Sequence, residues 1–189
     1  MPHHTISSAG LFGGGHPPRP GEVTLAHRGV LFLDDLPEMP LSYIEGLRAV
    51  LRDGFVDLPW RRRTVQLPAS FILIATMNDC PCGYRGHSER ACVCSDEAVA
   101  RYRSRVPFDL FDMIVNVAPI TSEEIEAGTG EASEPIRRRI EAARSLNKDR
   151  PAPSAEAADS DVRRELAGLT ASSSARVLRV AQTIAGLEG

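Results

Sequence analysis

Lysine is almost absent from this sequence. Of its 22 basic residues only Lys148 is a lysine, and the others are arginines. A phosphate-binding P-loop needs a lysine inside G-x-x-x-x-G-K-[ST], because the ammonium group reaches the β- and γ-phosphates. Lys148 lies in Leu-Asn-Lys-Asp-Arg, with no glycine nearby. The printed sequence therefore contains no Walker A motif, and it cannot hold a nucleotide alone by that route.

Long apolar runs are also missing. No stretch reaches the length of about 18 apolar residues that a transmembrane helix needs. The first residues, Met-Pro-His-His-Thr-Ile, lack the basic and apolar segments of a secretory signal. We therefore expect a cytoplasmic protein without membrane association. The formal net charge is −3, so any binding to nucleic acid must rest on a local basic patch.

The composition favours a folded chain with long loops. Its 189 residues are 42% hydrophobic, which excludes complete disorder and suits one domain with a small appendage. Glycines 13–15 are followed by Pro17, Pro18 and Pro20. A phosphate-binding loop would follow a strand and carry a lysine, and this segment does neither. The first 20 residues are therefore predicted to form a flexible surface loop.

Two short apolar runs predict buried strands of a parallel sheet. They are residues 30–33 and residues 71–75, and residues 115–117 are a weaker third candidate. Residues 41–52 have apolar side chains at helical spacing, and Asp53-Gly54 ends that helix. Residues 55–58 and 64–67 alternate around a Pro-Trp-Arg-Arg-Arg turn, which predicts a hairpin.

The composition of the sequence changes near residue 120. An acidic segment, residues 121–134, is typical of a linker, and residues 135–147 and 173–187 have the periodicity of amphipathic helices. We predict an α/β part over residues 1–119 and a small helical part over residues 120–189.

Carboxylates follow the first predicted strand. Asp34 and Asp35 end that strand, and Asn78 follows the second one. One carboxylate can hold Mg²⁺ and the next can orient an attacking water, whereas Asn78 can sense a phosphate. Two carboxylates alone are weak evidence for such a site, because the same residue types occur where any buried strand ends in a solvated turn. Asn78 strengthens the prediction of a magnesium–nucleotide site.

All four cysteines fall within 15 residues, as Cys80-x-Cys82 and Cys92-x-Cys94. Four thiolates on a short loop can form a tetrahedral zinc site that stabilises a segment with few apolar residues. The alternative is four reduced cysteines in a loop rich in glycine and proline. Their clustering favours zinc.

The predicted hairpin tip is a candidate DNA contact. It combines the aromatic ring of Trp60 with the guanidinium groups of Arg61, Arg62 and Arg63, which can bind phosphates. The alternative is a solvated charged turn, which is common in any domain.

Several blocks resemble the magnesium-chelatase-like AAA+ family, in its ComM/YifB-like competence-protein branch. The most specific are Pro-Gly-Glu-Val at 20–23, Leu-Ala-His-Arg-Gly-Val-Leu-Phe-Leu-Asp at 25–34 and Asn-Asp-Cys-Pro-Cys-Gly-Tyr at 78–84. The resemblance implies a partial P-loop AAA+ sheet with a helical lid, in a ring-forming ATPase that uses ATP and Mg²⁺ and moves DNA. By it, Asp34 matches the Walker B carboxylate and Asn78 matches sensor 1.

The sequence departs from the family pattern at three positions that carry catalysis. Asp35 stands where the family usually has glutamate, Leu110 stands at the arginine finger, and Ser172 stands at sensor 2. Because an arginine finger is worth about 10³–10⁵ in rate, its loss would be severe. Misalignment is the alternative, with Arg105 or Arg176 in those roles.

Two functions follow from these expectations. The first is a partial, degenerate ATPase region that cannot hydrolyse ATP alone and that pairs with a complementing N-terminal half or forms a homo-oligomeric ring. The second is a non-catalytic module that binds DNA or a partner. Insertion of magnesium into a porphyrin has no specific feature in this sequence to support it.

Overall fold

The computed structural model describes residues 2–87, 90–118, 126–128, 130–148, 150–151, 153–156 and 158–188. The chain divides into two compact units, Met1–Phe111 and Asp112–Gly189. The first is a mixed α/β unit and the second is helical. The predicted boundary at residues 119 and 120 lies outside the described residues.

A pair of parallel strands forms the centre of the first unit. Strands β3 (Val30–Leu33) and β6 (Ile72–Ala75) pair from Val30 opposite Ile72 to Leu33 opposite Ala75. Leu31 and Leu33 are buried, so the inward face of β3 belongs to the hydrophobic core. The parallel pairing confirms the prediction from the two apolar runs, and it places the carboxyl ends of both strands at one edge.

Helix α3 (Leu41–Asp53) covers this core with the side chains of Ile44, Leu47 and Val50. The helix ends at Gly54, whose φ of +77° is the left-handed conformation that glycine adopts without steric penalty. The sequence predicted both the helix and its end correctly.

The predicted hairpin is confirmed and is tighter than expected. Strands β4 (Phe55–Trp60) and β5 (Arg63–Pro68) pair in antiparallel register, with Trp60 opposite Arg63, so that only two residues form the turn. Val56 and Leu58 point into the core from β4. The alternation of these strands thus fixes which face is buried and leaves the tip in solvent.

The first 20 residues are structured, so the prediction of a flexible loop was wrong. Helix α1 (Ser8–Phe12) buries Leu11 completely, and β1 (Gly13–Gly14) pairs with β2 (Arg19–Pro20) before helix α2 (Glu22–Leu25). The glycines allow the backbone to approach itself closely. A Cβ atom at Gly13 would lie 2.6 Å from the carbonyl oxygen of Arg19.

Helix α4 (Asp96–Arg103) lies near the end of the first unit. A single turn of 3₁₀-helix follows β3 at Leu36–Glu38, and another follows α4 at Phe108–Leu110. Val99 and Tyr102 are the buried residues of α4.

The third strand predicted at residues 115–117 is wrong, because residues 112–118 have no regular structure. Val115 and Val117 are 69% and 83% exposed. An extended segment becomes a strand only when a neighbour accepts and donates its backbone hydrogen bonds, and no such neighbour is found within the part of the chain that the structure describes.

The second unit contains helices α5 (Ser133–Asn147), α6 (Ser160–Glu165) and α7 (Ala171–Glu188), which confirms the predicted helical texture. Helices α5 and α7 approach closely, because Gly186 is buried beside the Asn147 side chain, whose Nδ2 donates to the carbonyl of Gln182 at 3.4 Å. Among the described residues, no helix is both long and apolar enough to cross a membrane.

Candidate nucleotide edge and cysteine cluster

The carboxyl ends of β3 and β6 are joined through Thr76. Its hydroxyl donates to Oδ1 of Asp34 at 2.5 Å and accepts the backbone N–H of Asp35 at 3.1 Å. Its own N–H donates to the carbonyl of Leu33 at 3.0 Å. Thr76 therefore fixes the orientation of the Asp34 carboxylate, which stays exposed to solvent. Sequence reasoning missed Thr76, although its place directly after a buried strand was a signal.

Asp35 and Asn78 meet at the same edge. Nδ2 of Asn78 donates to Oδ1 of Asp35 at 3.2 Å, and Asp35 has a left-handed backbone with φ of +49°. The geometry thus places Asp34, Asp35 and Asn78, which the sequence singled out, at the same edge. Two carboxylates and an amide at one solvent-facing edge form a donor set that suits Mg²⁺.

Tyr102 is a member of this edge that the sequence did not reveal. Tyr102 is 6% exposed, and burial raises the pKa of its hydroxyl, with the negative charges of Asp35 and Glu38 acting in the same direction. Hydrogen bonds with the main chain and side chain of Asn78 oppose that shift in pKa. Tyr102 therefore connects α4 to Asn78.

Arg105 is bound within its own chain. Its Nε donates to the carbonyl of Pro37 at 2.5 Å and its Nη2 donates to that of Met39 at 3.1 Å. Both acceptors lie in the turn that follows Asp34 and Asp35. The alternative role of Arg105 as an arginine finger would require these bonds to break.

The structure also places the two residues that the resemblance aligns with the arginine finger and with sensor 2. Leu110 lies in the turn Phe108–Leu110, which is anchored where Arg48 donates to both carboxylate oxygens of Asp109 at 2.6 and 3.1 Å. Ser172 lies in the first turn of α7, and Arg176 lies one turn later with its Nη2 3.4 Å from Oγ of Ser173.

The four cysteines converge. The sulfur atoms of Cys80, Cys82, Cys92 and Cys94 all lie within 4.8 Å of one another. The Cys80–Cys82, Cys82–Cys92 and Cys80–Cys92 distances are 3.4, 3.7 and 3.6 Å. Zinc with bonds of about 2.3 Å in a tetrahedron separates its sulfur ligands by about 3.8 Å. The cluster therefore fits a tetrahedral metal ion.

The thiols of this cluster differ in pKa. A backbone hydrogen bond from Tyr84 is the main cause that lowers the pKa of Cys82 to about 6. The backbone of Cys94 acts to lower the pKa of Cys92, but burial and the neighbouring thiols raise it to about 12. Neighbouring thiols and backbone groups therefore shift the pKa values of Cys82 and Cys92 in opposite directions.

The hairpin tip presents the residues that the sequence singled out for DNA. Arg61, Arg62 and Arg63 are exposed, and the Arg61 guanidinium lies 5.5 Å from the centre of the Trp60 ring. Arg61 adopts a φ of +56°, which two-residue hairpin turns commonly need. The tip concentrates three positive charges and one aromatic ring at the end of the β4–β5 hairpin.

Comparison with known protein families shows to which family the chain is related. The model of the family "Magnesium chelatase, subunit ChlI" matches residues 1–125. The chain belongs to this magnesium-chelatase family. Among similar proteins, YifB of Escherichia coli, described as uncharacterised, is 40% identical over 76% of this chain. The competence protein ComM of Haemophilus influenzae is 33% identical over 100% of it, and the uncharacterised Rv2897c of Mycobacterium tuberculosis is 37% identical over 79%.

This member of the magnesium-chelatase family spans only part of its relatives. It covers 29% of the length of YifB, 41% of ComM and 30% of Rv2897c. The family match includes both strand ends and the cysteine cluster, and it ends before the helices α5–α7.

Proposed function

We propose that this chain provides the Walker B and sensor 1 side of an AAA+ ATPase module and does not hydrolyse ATP by itself. The observation that supports this most is the meeting of Asp34, Asp35 and Asn78 at the ends of two parallel strands. Ligands of open α/β sheets bind at the carboxyl ends of the strands. Family membership supports ATP as the nucleotide.

Each residue of this edge has a distinct part in the proposal. The Thr76 hydroxyl holds one oxygen of Asp34, which leaves the other free to bind Mg²⁺ directly or through water. Asn78 holds Asp35 close to the same edge, where a carboxylate can accept a proton from an attacking water. The bound Mg²⁺ would neutralise charge that develops on the transferred phosphoryl group.

The proposal requires a P-loop from elsewhere, and the sheet offers a surface for it. On the face of β3 and β6 opposite the core, Val30, Ile72 and Ile74 are 52%, 56% and 44% exposed. Exposed apolar sheet faces of this kind mark interaction sites. We propose that the segment carrying Walker A covers this face, either as a complementing N-terminal half or within a ring-shaped oligomer.

Nucleotide titration tests the proposal. We expect the full chain to bind a fluorescent ATP analogue with Mg²⁺ at a dissociation constant of about 1 mM or below and to show no turnover. Asp34→Asn should weaken Mg²⁺-dependent binding about tenfold, because one charged ligand is lost. Asp57→Asn, which removes an exposed carboxylate on β4, is the matched control. Equal binding by the Asp34→Asn variant and the unmodified chain would refute the assignment.

The second candidate function is nucleotide-independent DNA binding by the hairpin tip. The exposed arginine triplet beside Trp60 favours it. Guanidinium groups release counterions from phosphates, and the indole ring can stack on a base. DNA binding at the tip is distinguished from nucleotide binding at the strand ends because it needs neither Mg²⁺ nor ATP.

Replacing Arg61, Arg62 and Arg63 together with alanine should weaken binding to a labelled oligonucleotide about tenfold at low salt. The slope of log K against log salt should fall by about 2–3, the contribution of three phosphate contacts. Fluorescence anisotropy over a range of salt concentrations measures both. The same replacement of Arg137, Arg138 and Arg139, exposed on α5, removes equal charge elsewhere. Equal losses in the two triple variants would argue against the hairpin tip.

We also propose that the cysteine cluster binds zinc and that the protein is cytoplasmic. The sulfur distances fit a tetrahedral ion, and an all-cysteine donor set is typical of structural zinc sites. A reducing cytosol keeps such thiols available for metal.

A further inference from the structure

We infer that the metal centre positions the nucleotide edge: zinc at the four cysteines holds Asn78 and Tyr102 at the ends of β3 and β6. This inference rests on the proposed zinc site. Zinc thereby acts on the edge through the polypeptide, without contacting the nucleotide.

The cluster joins two segments that both reach this edge. Cys80 lies two residues after Asn78 and is fully buried, so it anchors the chain directly beyond β6. Cys94 precedes Ser95, whose hydroxyl accepts the N–H of Ala98 and caps the start of α4. Coordination of all four sulfurs therefore ties the end of β6 to the beginning of α4.

Few side chains are buried among the described residues of the cysteine segment, 80–87 and 90–94. Val93 is 88% exposed, and residues 81, 83, 85–87, 90 and 91 are also exposed. The polar contacts are at the surface. Arg85 donates to Asp96 at 3.3 Å, and Arg90 donates to the Tyr84 hydroxyl at 2.6 Å. Surface ion pairs contribute little, so metal–sulfur bonds are the dominant cross-link.

Helix α4 carries the effect to the strand ends by two contacts. The buried Tyr102 of α4 interacts with Asn78 beside Asp35, and Arg105, two residues after α4, donates to the carbonyls of Pro37 and Met39. The turn that follows Asp34 and Asp35 is thus held from the same helix that the metal centre anchors. Loss of zinc frees the start of α4 and weakens both contacts.

Hydrogen exchange measured by mass spectrometry on the full chain tests this inference without nucleotide. Elemental analysis should first find about one zinc per chain. Removal of zinc by a chelator should speed amide exchange about tenfold in peptides that cover residues 72–79 and 96–106. The hairpin β4–β5 contains none of the four cysteines, so its amide exchange rates should not change.

Two variants separate the metal from the surrounding loop. Cys94→Ser should reproduce the effect of the chelator. Val93→Ser changes an exposed side chain between two of the cysteines, and it should keep both zinc and protection. Tyr102→Phe should keep zinc but speed exchange in residues 72–79, because only the contact to Asn78 is lost.

The outcomes distinguish this inference from the proposed site. Less than about one zinc per ten chains would overturn the metal centre and the inference with it. Stoichiometric zinc with faster exchange confined to residues 80–94 would overturn the inference alone. Equally faster exchange throughout the first unit, hairpin included, would also overturn it, because zinc would then support the whole fold rather than the edge.

Discussion

Gly21→Ala should destabilise the first unit by about 3–5 kcal/mol, the largest effect expected of any single substitution considered. Gly21 is buried, and a Cβ atom there would lie 2.5 Å from the carbonyl oxygen of Leu11 and 2.6 Å from the carbonyl carbon of Phe12. It would also collide with the backbone nitrogen of Gly13. These neighbours are backbone atoms, so the clash cannot be relieved by turning a side chain.

Equilibrium unfolding in urea measures this effect as a lower midpoint at an unchanged slope. The φ of Gly21 is −98°, so close approach, not backbone conformation, makes glycine necessary here. Gly130→Ala provides the control, because nothing lies within 4 Å of a Cβ atom at that position. A Gly21→Ala protein as stable as this control would show that α1 and the β1–β2 pair do not pack as described.

Arg105→Ala should destabilise the first unit by about 3 kcal/mol, because two hydrogen bonds from a charged donor to backbone carbonyls are lost. The acceptors belong to Pro37 and Met39, which are both buried. Water can reach carbonyls at buried residues only in part, so some of the lost hydrogen bonding stays uncompensated. Thermal unfolding followed by circular dichroism measures the loss.

Arg103→Ala is the matched control, since Arg103 is an exposed arginine in the last turn of the same helix. Its replacement should change stability by no more than about 0.5 kcal/mol. An Arg105→Ala chain of unchanged stability would show that the two hydrogen bonds to Pro37 and Met39 do not support the fold.

Local sequence patterns predicted the parts of the fold that depend on burial. The apolar runs at β3 and β6, the spacing of Ile44, Leu47 and Val50, and the alternation of the hairpin each follow from which side chains must leave water. Asp34, Asp35 and Asn78 were predicted to form one magnesium–nucleotide site because they follow the two predicted strands.

The features that sequence did not predict depend on contacts between distant segments. Thr76 and Tyr102 join the edge through hydrogen bonds to residues far away in the chain, which no periodicity reports. Glycines 13–15 indicated a loop, yet the backbone folds closely on itself there. The segment at 115–117 has strand-forming residues, but a strand requires a hydrogen-bonded neighbour as well as composition.

The left-handed backbone of Asp35 bears on how this site could change during evolution. Aspartate tolerates this conformation better than most residues, because its short polar side chain can bond locally, whereas glutamate meets a penalty of roughly 1 kcal/mol or more. The codons of the two amino acids differ only in their third base, so mutation supplies glutamate readily. Backbone geometry therefore favours aspartate over glutamate at position 35 of this chain.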